Sequence, residues 1–318
     1  MRTAFINTLL DLAAHDQRIT LVVGDLGFGV VEPFAGRFPD RFINAGVAEQ
    51  NMMGIAAGLA LSGRIVFIYS IGNFPTLRCL EQIRNDVCYH AANVKIVSVG
   101  GGFAYGALGA SHHATEDIAI MRALPQMTVI APGDPLEAQM ATAALTTHPG
   151  PAYLRLGRAG EPLVHSKNIN FKIGKAVQLL DGSDITLIST GAMLHDVFSA
   201  AATLERHDIH ARVLSMHTIK PLDAGAILAA ARETAAILIV EEHSIIGGLG
   251  SAVAEVLAEY AGCRVLFRRL GLPSQFTSLV GTQTFLRQAH FLSAKDIADS
   301  ALQLCRAADS RHSAAYAD

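Results

Sequence analysis

Short runs of β-branched and aliphatic residues alternate along this chain with longer stretches of helical periodicity. In the first half the runs fall at 20–24 (TLVVG), 41–44 (RFIN), 64–70 (RIVFIYS), 94–99 (VKIVSV), 127–131 (MTVIA) and 152–156 (AYLRL). After Lys175 they fall at 185–190 (ITLIST), 211–215 (ARVLS), 236–241 (AILIVE) and 264–268 (RVLFR). Most are apolar at successive positions, the pattern of strands covered on both faces, so the chain predicts α/β architecture with mainly parallel sheets flanked by helices. Helix starts are marked by their chemistry. Asp134 is the expected N-cap of a helix with Pro135 at its first position and Glu137 as the capping-box acid. Thr115 is the expected cap of the next-earlier helix, with Glu116 and Asp117 in its first turn. The opening MRTAFINTLLDLAAHD carries Asp11 within its apolar pattern and has no small-residue cleavage site, so it reads as an amphipathic helix and not a signal peptide. Between Gly157 and Gly174 the pattern lapses, which predicts a linker and two domains, 1–167 and 168–318, divided at Asn168. The small, polar tail at 306–318 is expected to fray.

Composition narrows the class. Of 318 residues, 51% are hydrophobic and 17% charged, which supplies two substantial cores and excludes a disordered or fibrous chain. A net charge of −3 and a pI near 6.5 give no basic surface for nucleic acid or an anionic membrane. No window of eighteen uninterrupted apolar residues occurs, so no membrane span is expected, and a cytoplasmic location is. The positive mean hydropathy of +0.33 then points to apolar surface buried between subunits, with self-association expected. Cys79, Cys88, Cys263 and Cys305 form no C-x-x-C pair and read as reduced thiols.

Ligands of open parallel sheets bind beyond the carboxyl ends of the strands. Those ends carry Asp25 among glycines, Glu49 before a long apolar helix, Tyr69 and Phe74, a glycine-rich loop ending in His112 and His113, and Arg158. The second half offers Glu241, Glu242 and His243 ahead of a glycine turn. Each has a purely structural reading. Glu49 complements the positive end of its helix, worth ~0.3–1 kcal/mol. Phe74 belongs in a core, the histidines in loop packing and Arg158 on the surface. A metal site lacks a third ligand at suitable spacing. The GGLGSAV segment lacks the third glycine of a dinucleotide loop and reads as a device for close helix–strand packing. Five loops converging on one edge outweigh these separate readings.

At these residues the chain resembles the transketolase family of thiamine-diphosphate enzymes. NAGVAEQNMMGIAAGLALSG is similar to the family's glutamate helix and NFPTLRCLEQIRNDV to its aromatic-bearing helix. GASHHATEDIAIMRALPQMTVIAPGDPLEA resembles split transketolases, and VEEHSIIGGLGSAVAE resembles the family's C-terminal domain. The resemblance covers nearly the whole chain, weakening after Gly271. It implies a pyrimidine-binding domain followed by a C-terminal domain, and transfer of a two-carbon ketol unit from a ketose, phosphorylated in the usual case, to an aldehyde. It also implies the roles of individual residues. Glu49 hydrogen-bonds N1′ of the cofactor's aminopyrimidine, and burial of such a carboxyl favours sharing a proton there. Phe74 stacks on the pyrimidine, with Tyr69 as a second aromatic and Asp25 as an acid near the cofactor. His112, with His113 beside it, meets the substrate's carbonyl and hydroxyl. Arg158 and Arg2 hold a substrate phosphate.

The chain also departs from the family. Leu108 and Gly100 stand where an aspartate and a histidine are usual, and Gly29 replaces a phosphate-contacting serine. These departures put an ordinary pentose-phosphate role in doubt and leave room for a modified sugar or another α-keto donor. The family's G-D-G…N-N motif, which holds Mg²⁺ or Ca²⁺ with the diphosphate, is missing. A partner chain carrying the N-terminal half is therefore expected to supply it, in a two-plus-two heterotetramer. Within the same cofactor class the alternatives are a beta subunit of an α-keto acid dehydrogenase or a deoxyxylulose-phosphate-synthase-like enzyme. The histidine loop favours transketolases. A non-catalytic regulatory α/β binding module is disfavoured because Glu49 and His112 are both present.

Overall fold

The strand runs assemble into two sheets in a computed structural model that describes residues 1–166, 169–260, 262 and 265–315. The first six strands are β1 (Ile19–Val23), β2 (Phe42–Asn44), β3 (Ile65–Ile71), β4 (Val94–Val99), β5 (Thr128–Ile130) and β6 (Ala152–Leu156). They are parallel to one another. Between and beside them run α1 (Arg2–His15), α2 (Glu32–Arg37), α3 (Glu49–Leu61), α4 (Leu80–Gln82), α5 (Asp117–Ala123) and α6 (Pro135–Thr147). The second sheet holds β7 (Val177–Leu180), β8 (Ile185–Ser189), β9 (Ala211–Ser215), β11 (Ala236–Ser244) and β12 (Leu266–Leu272). The short β10 (Thr218–Lys220) crosses back and pairs antiparallel with β5, closing the first sheet in the order β10-β5-β6-β4-β3-β1-β2. The remaining helices are α7 (Leu194–Glu205), α8 (Ala224–Glu233), α9 (Leu249–Glu259), α10 (Gln283–Ala289) and α11 (Ala294–Ala315).

Every residue of β1, β4 and β6 is buried, Thr20, Lys95, Ser98 and Arg155 among them. Met52, Met53, Ala56 and Ala57 of α3 share a core with Val22, Val66 and Ile68 on one face of the first sheet. Phe5 and Leu9 of α1 pack with Leu21, Phe67 and Val97 on the other. Each fully buried aliphatic or aromatic side chain stabilises by roughly 1.5–3 kcal/mol. The parallel register matters for function. Val23 pairs with both Asn44 and Tyr69, and Tyr69 with Val97, so the loops after β1, β2, β3 and β4 emerge together along one edge.

Two strands, β7 and β10, lack the expected apolar run. Both are antiparallel edge strands of three or four residues, and Gln178, Thr218 and Lys220 interrupt their apolar pattern. Asp134 caps α6 by accepting from the Glu137 amide at 2.9 Å, as expected. The Glu137 carboxylate reaches back to the Gly133 amide at 2.6 Å, one residue earlier than a capping box places it. Thr115 does not cap α5: its hydroxyl donates to the Glu116 carboxylate instead, and Glu116 is the N-cap. The expected fraying of the tail is overturned through Ala315, because an alanine-rich segment continues α11. Cys79 and Cys88 are free thiols, whereas Cys263 and the expected boundary at Asn168 lie outside the described residues. No helix among the described residues is long and apolar enough to cross a membrane.

Candidate active site

Glu49 is the first residue of α3 and is only 3% exposed. Its carboxylate accepts one hydrogen bond, at 3.3 Å, from the guanidinium of Arg78, itself 55% exposed. That guanidinium lies over the Phe74 ring, 5.5 Å from its centroid. The His112 ring meets Phe74 edge-on at 5.3 Å and Tyr105 edge-on at 6.5 Å. Arg158 covers Tyr105 at 5.2 Å. Glu49, Phe74, His112 and Arg158, which follow four different strands, are thus linked through Arg78 and Tyr105.

Local geometry fixes each group. Phe74 sits in the turn after β3 and not on a helix, correcting the aromatic-bearing helix expected there; regular helix begins only at Leu80 and passes into a π-helical turn, Ile83–Cys88. Asn73 donates to the His113 carbonyl at 2.8 Å, which ties the Phe74 turn to the histidine loop. Gly72 has φ of +36°, and an added Cβ there would lie 3.3 Å from the Ala114 Cβ, so the two loops meet closely. Gly100 has φ of +96°, and an added Cβ would stand 2.2 Å from the Tyr105 ring. Tyr105 therefore fills the space that a side chain at position 100 would need. Leu108, the other departure, is exposed.

Asp25 holds a left-handed φ of +54° because Asn44 brackets it, accepting from its amide and donating to its carboxylate, both at 2.9 Å. Gly29 donates its amide to Glu32 at 2.8 Å. Tyr69 is buried and stacks on Phe5 at 6.0 Å. Burial raises its phenol well above the ordinary value, with Tyr105 adding to the rise and Arg2 opposing it, so the three are neighbours. The Nε of Arg2 is buried and has no hydrogen-bond partner among the described residues. The paired histidines separate: His113 is buried, bonded to the Gly106 carbonyl at 3.2 Å and edge-on to Phe103 at 5.0 Å. It faces a cavity of about 260 Å³ that His290 and Ser244 also line. Cys79, near Glu49, is no nucleophile, since burial and then the Glu49 charge push its thiol up to about 12.

The acids of β11 are paired inside the protein, although Glu242 packs against Gly102 of the loop after β4, where an added Cβ would lie 2.6 Å from its carboxylate. Glu242 is held by Arg287 at 2.9 Å and Gln283 at 2.8 Å. Glu241 accepts the amides of Leu249 and Gly250 at 2.7 and 2.9 Å. An added Cβ at Gly248 would fall 2.1 Å from the Glu241 carboxylate, which is the close helix–strand packing expected of that glycine turn. Among the described residues no group of three or more His, Cys, Asp or Glu side chains is arranged to hold a metal.

Sequence reasoning missed Arg78, Tyr105, Asn44 and Asn73. Each acts through a neighbour on another loop, and no local pattern marks such a pairing. The assembled edge offers a buried carboxylate, an aromatic face, an imidazole and two arginines. That set suits a planar heterocycle with a hydrogen-bonding edge next to an anionic, oxygen-rich substrate.

Residues 1–160 match the family model described as transketolase, pyrimidine binding domain, and residues 174–297 the one described as transketolase, C-terminal domain. One of the subunits of an apulose-4-phosphate transketolase from Phocaeicola vulgatus is 43% identical over 276 residues, covering 86% of this chain and 88% of that one. A 6-deoxy-6-sulfo-D-fructose transketolase subunit of Clostridium sp. is 39% identical over 302 residues, covering 95% and 93%. A solved split-gene transketolase, described as an inactive beta4 tetramer, superposes with a TM-score of 0.86 at 37% identity, covering 96% of this chain and 97% of that one. The chain belongs to the transketolase family and carries its pyrimidine-binding and C-terminal domains.

Proposed function

We propose that this chain is the C-terminal subunit of a split, thiamine-diphosphate-dependent transketolase, active only with an N-terminal-half partner. The observation that carries the reading is the pairing of a buried Glu49, at the mouth of an apolar helix, with the Phe74 face one loop away. Domains at 1–167 and 168–318 divide the work: the first holds the aminopyrimidine, and the second covers its sheet edge through β10 and the Arg155 hydrogen bond to the Glu242 carbonyl.

The residues present fit the pyrimidine end of the cofactor. Glu49 offers a desolvated acceptor, Phe74 a flat apolar face, and Asp25 a carboxylate held rigid by Asn44. When bound, thiamine diphosphate supplies the carbanion chemistry of its thiazolium carbon. Glu49 holds a proton at N1′. Phe74 fixes the plane of the ring, while Tyr69 supports the loop floor beneath Gly27. An added Cβ at Gly27 would lie 2.9 Å from the Tyr69 ring. His112 faces the reacting carbonyl and hydroxyl, its Nδ1 3.0 Å from the Ser111 hydroxyl. His113 shapes the same loop from inside. Arg158 and the buried Nε of Arg2 hold the anionic end of the substrate, a role an arginine fork performs well. The related subunits act, by their names, on a sugar phosphate and a sulfo-sugar, so the donor is proposed to be an anionic ketose and the acceptor an aldehyde.

Mg²⁺ or Ca²⁺ and the diphosphate are assigned to the partner chain, because the G-D-G…N-N motif is missing from this sequence. The cofactor then bridges two chains in a two-plus-two heterotetramer, in the cytoplasm. The inactive beta-only tetramer of the split-gene relative supports self-association without activity. The test is thermal unfolding and turnover of this chain, its partner and the mixture, each with Mg²⁺ and cofactor. The mixture alone is expected to turn over and to gain Tm with cofactor concentration. Equal activity of the isolated chain would end the split-enzyme reading.

A further inference from the structure

We propose that Arg78 is a placeholder for the cofactor's aminopyrimidine: it neutralises Glu49 and covers Phe74 while the site is empty, and leaves both when the ring enters. The inference rests on the cofactor assignment above. A carboxylate as deeply buried as Glu49 is costly without a partner. Among the described residues its one side-chain hydrogen bond comes from Arg78. The two partners differ in mobility. Glu49 is fixed in the first turn of α3, whereas Arg78 is 55% exposed, on a long side chain that reaches water by rotating outward.

The same guanidinium also lies 5.5 Å from the Phe74 ring centroid. A planar cation with N–H edges thus bridges one carboxylate and one aromatic face. A planar heterocycle that hydrogen-bonds Glu49 and stacks on Phe74 draws on the same two groups, so the guanidinium and the ring compete for them. Arg78 has no second carboxylate partner among the described residues to draw it away beforehand. Its contact therefore opposes cofactor binding and supports the empty chain. Affinity is reduced by the fraction of molecules in which the site is covered.

The test is calorimetric titration of the mixed complex with thiamine diphosphate and Mg²⁺, beside thermal unfolding of the unloaded chain. Arg78→Gln is expected to bind cofactor roughly two- to fivefold tighter, the range that an ion pair with one exposed partner supports, and to unfold at lower temperature when empty. Arg78→Lys, which keeps the charge without the planar face, is expected to fall between; it carries the test if the neutral variant does not assemble. In a Glu49→Gln background the Arg78→Gln change is expected to leave the unloaded Tm unmoved. Weaker or unchanged binding by Arg78→Gln, with normal binding by the unmodified complex, overturns the placeholder alone. No binding by the unmodified complex overturns it together with the cofactor assignment.

Discussion

Acids and histidines stand at the strand ends of both sheets, yet their surroundings differ. At the end of β11 on the second sheet the two acids and the histidine are matched inside the protein. Glu242 has Arg287 and Gln283, Glu241 has two backbone amides, and the His243 ring nitrogens contact the Ser244 carbonyl and the Ala119 amide. On the first sheet the groups are left short. Among the described residues Glu49 has a single movable side-chain partner, the Arg2 Nε has none, and Phe74 is touched by a cation and an imidazole. Residue type alone does not separate these sets. A polar group whose partners are all internal serves the fold, and one left with unused capacity on an open edge is available to a ligand.

That contrast is sharpened first at Glu49. Glu49→Gln keeps the shape but cannot hold a proton at N1′ in the same way, so turnover of the mixed enzyme is expected to fall about 10²–10⁴-fold with little change in Tm. Steady-state kinetics beside calorimetry checks both halves. The mirror-image experiment is Arg287→Ala on the second sheet. It strands Glu242 and Asp196, the latter 2.8 Å from Arg287, and is expected to cost about 3–5 kcal/mol of stability. Urea unfolding measures it, and activity per folded molecule should hold. If Arg287→Ala instead cuts turnover at full stability, the division between the two sheets is misdrawn.

Arg158→Ala is expected to be milder. Losing a charge-assisted hydrogen bond to a substrate anion should raise KM for a phosphorylated substrate roughly tenfold or more while sparing an unphosphorylated one. Equal losses on both would mark the arginine as structural.

The smallest effect concerns the linker. Burial alone would lower His165, but Asp134 and Glu137, at 3.1 and 3.2 Å, outweigh it and raise its pKa to about 9. Burial would raise Asp134, yet His165 and three backbone amides pull it down to about 2. A histidine raised above its ordinary 6.5 contributes stability that is fully present below that value and lost as pH rises through 9. Burial also raises Glu241 to about 7, against the amides of Gly250 and Leu249, so its contribution is present below 4.5 and lost as pH rises through 7. Tm is therefore expected to decline by a few degrees across about pH 4.5 to 9, the Glu241 part between 4.5 and 7 and the His165 part between 6.5 and 9. His165→Gln should flatten the part of that decline above about pH 6.5 and leave the Glu241 part between 4.5 and 7; an unchanged profile would remove the linker histidine as the cause of the upper part.

Much of this was legible in the residues. Largely apolar runs marked most of the parallel strands, and the Asp-Pro-x-Glu pattern marked the start of α6. Glu49 stood out because an acid at the mouth of so apolar a helix is unusual. What stayed hidden was pairwise. Nothing local in NFPTLR says that Arg78 reaches a carboxylate 29 positions away. Nor does HH say that one imidazole faces the edge and the next the interior, a matter of backbone direction in the loop that Asn73 ties down. The edge strands β7 and β10 were invisible too: Gln178, Thr218 and Lys220 interrupt their apolar pattern, and such segments become strands only when a neighbouring strand offers its hydrogen bonds. The sequence by itself therefore determined the elements, their order and the chemical types at the strand ends, because periodicity and capping are local. The tertiary structure alone decided which of those groups are matched and which remain open, because hydrogen-bond satisfaction and burial depend on parts of the chain far apart in sequence.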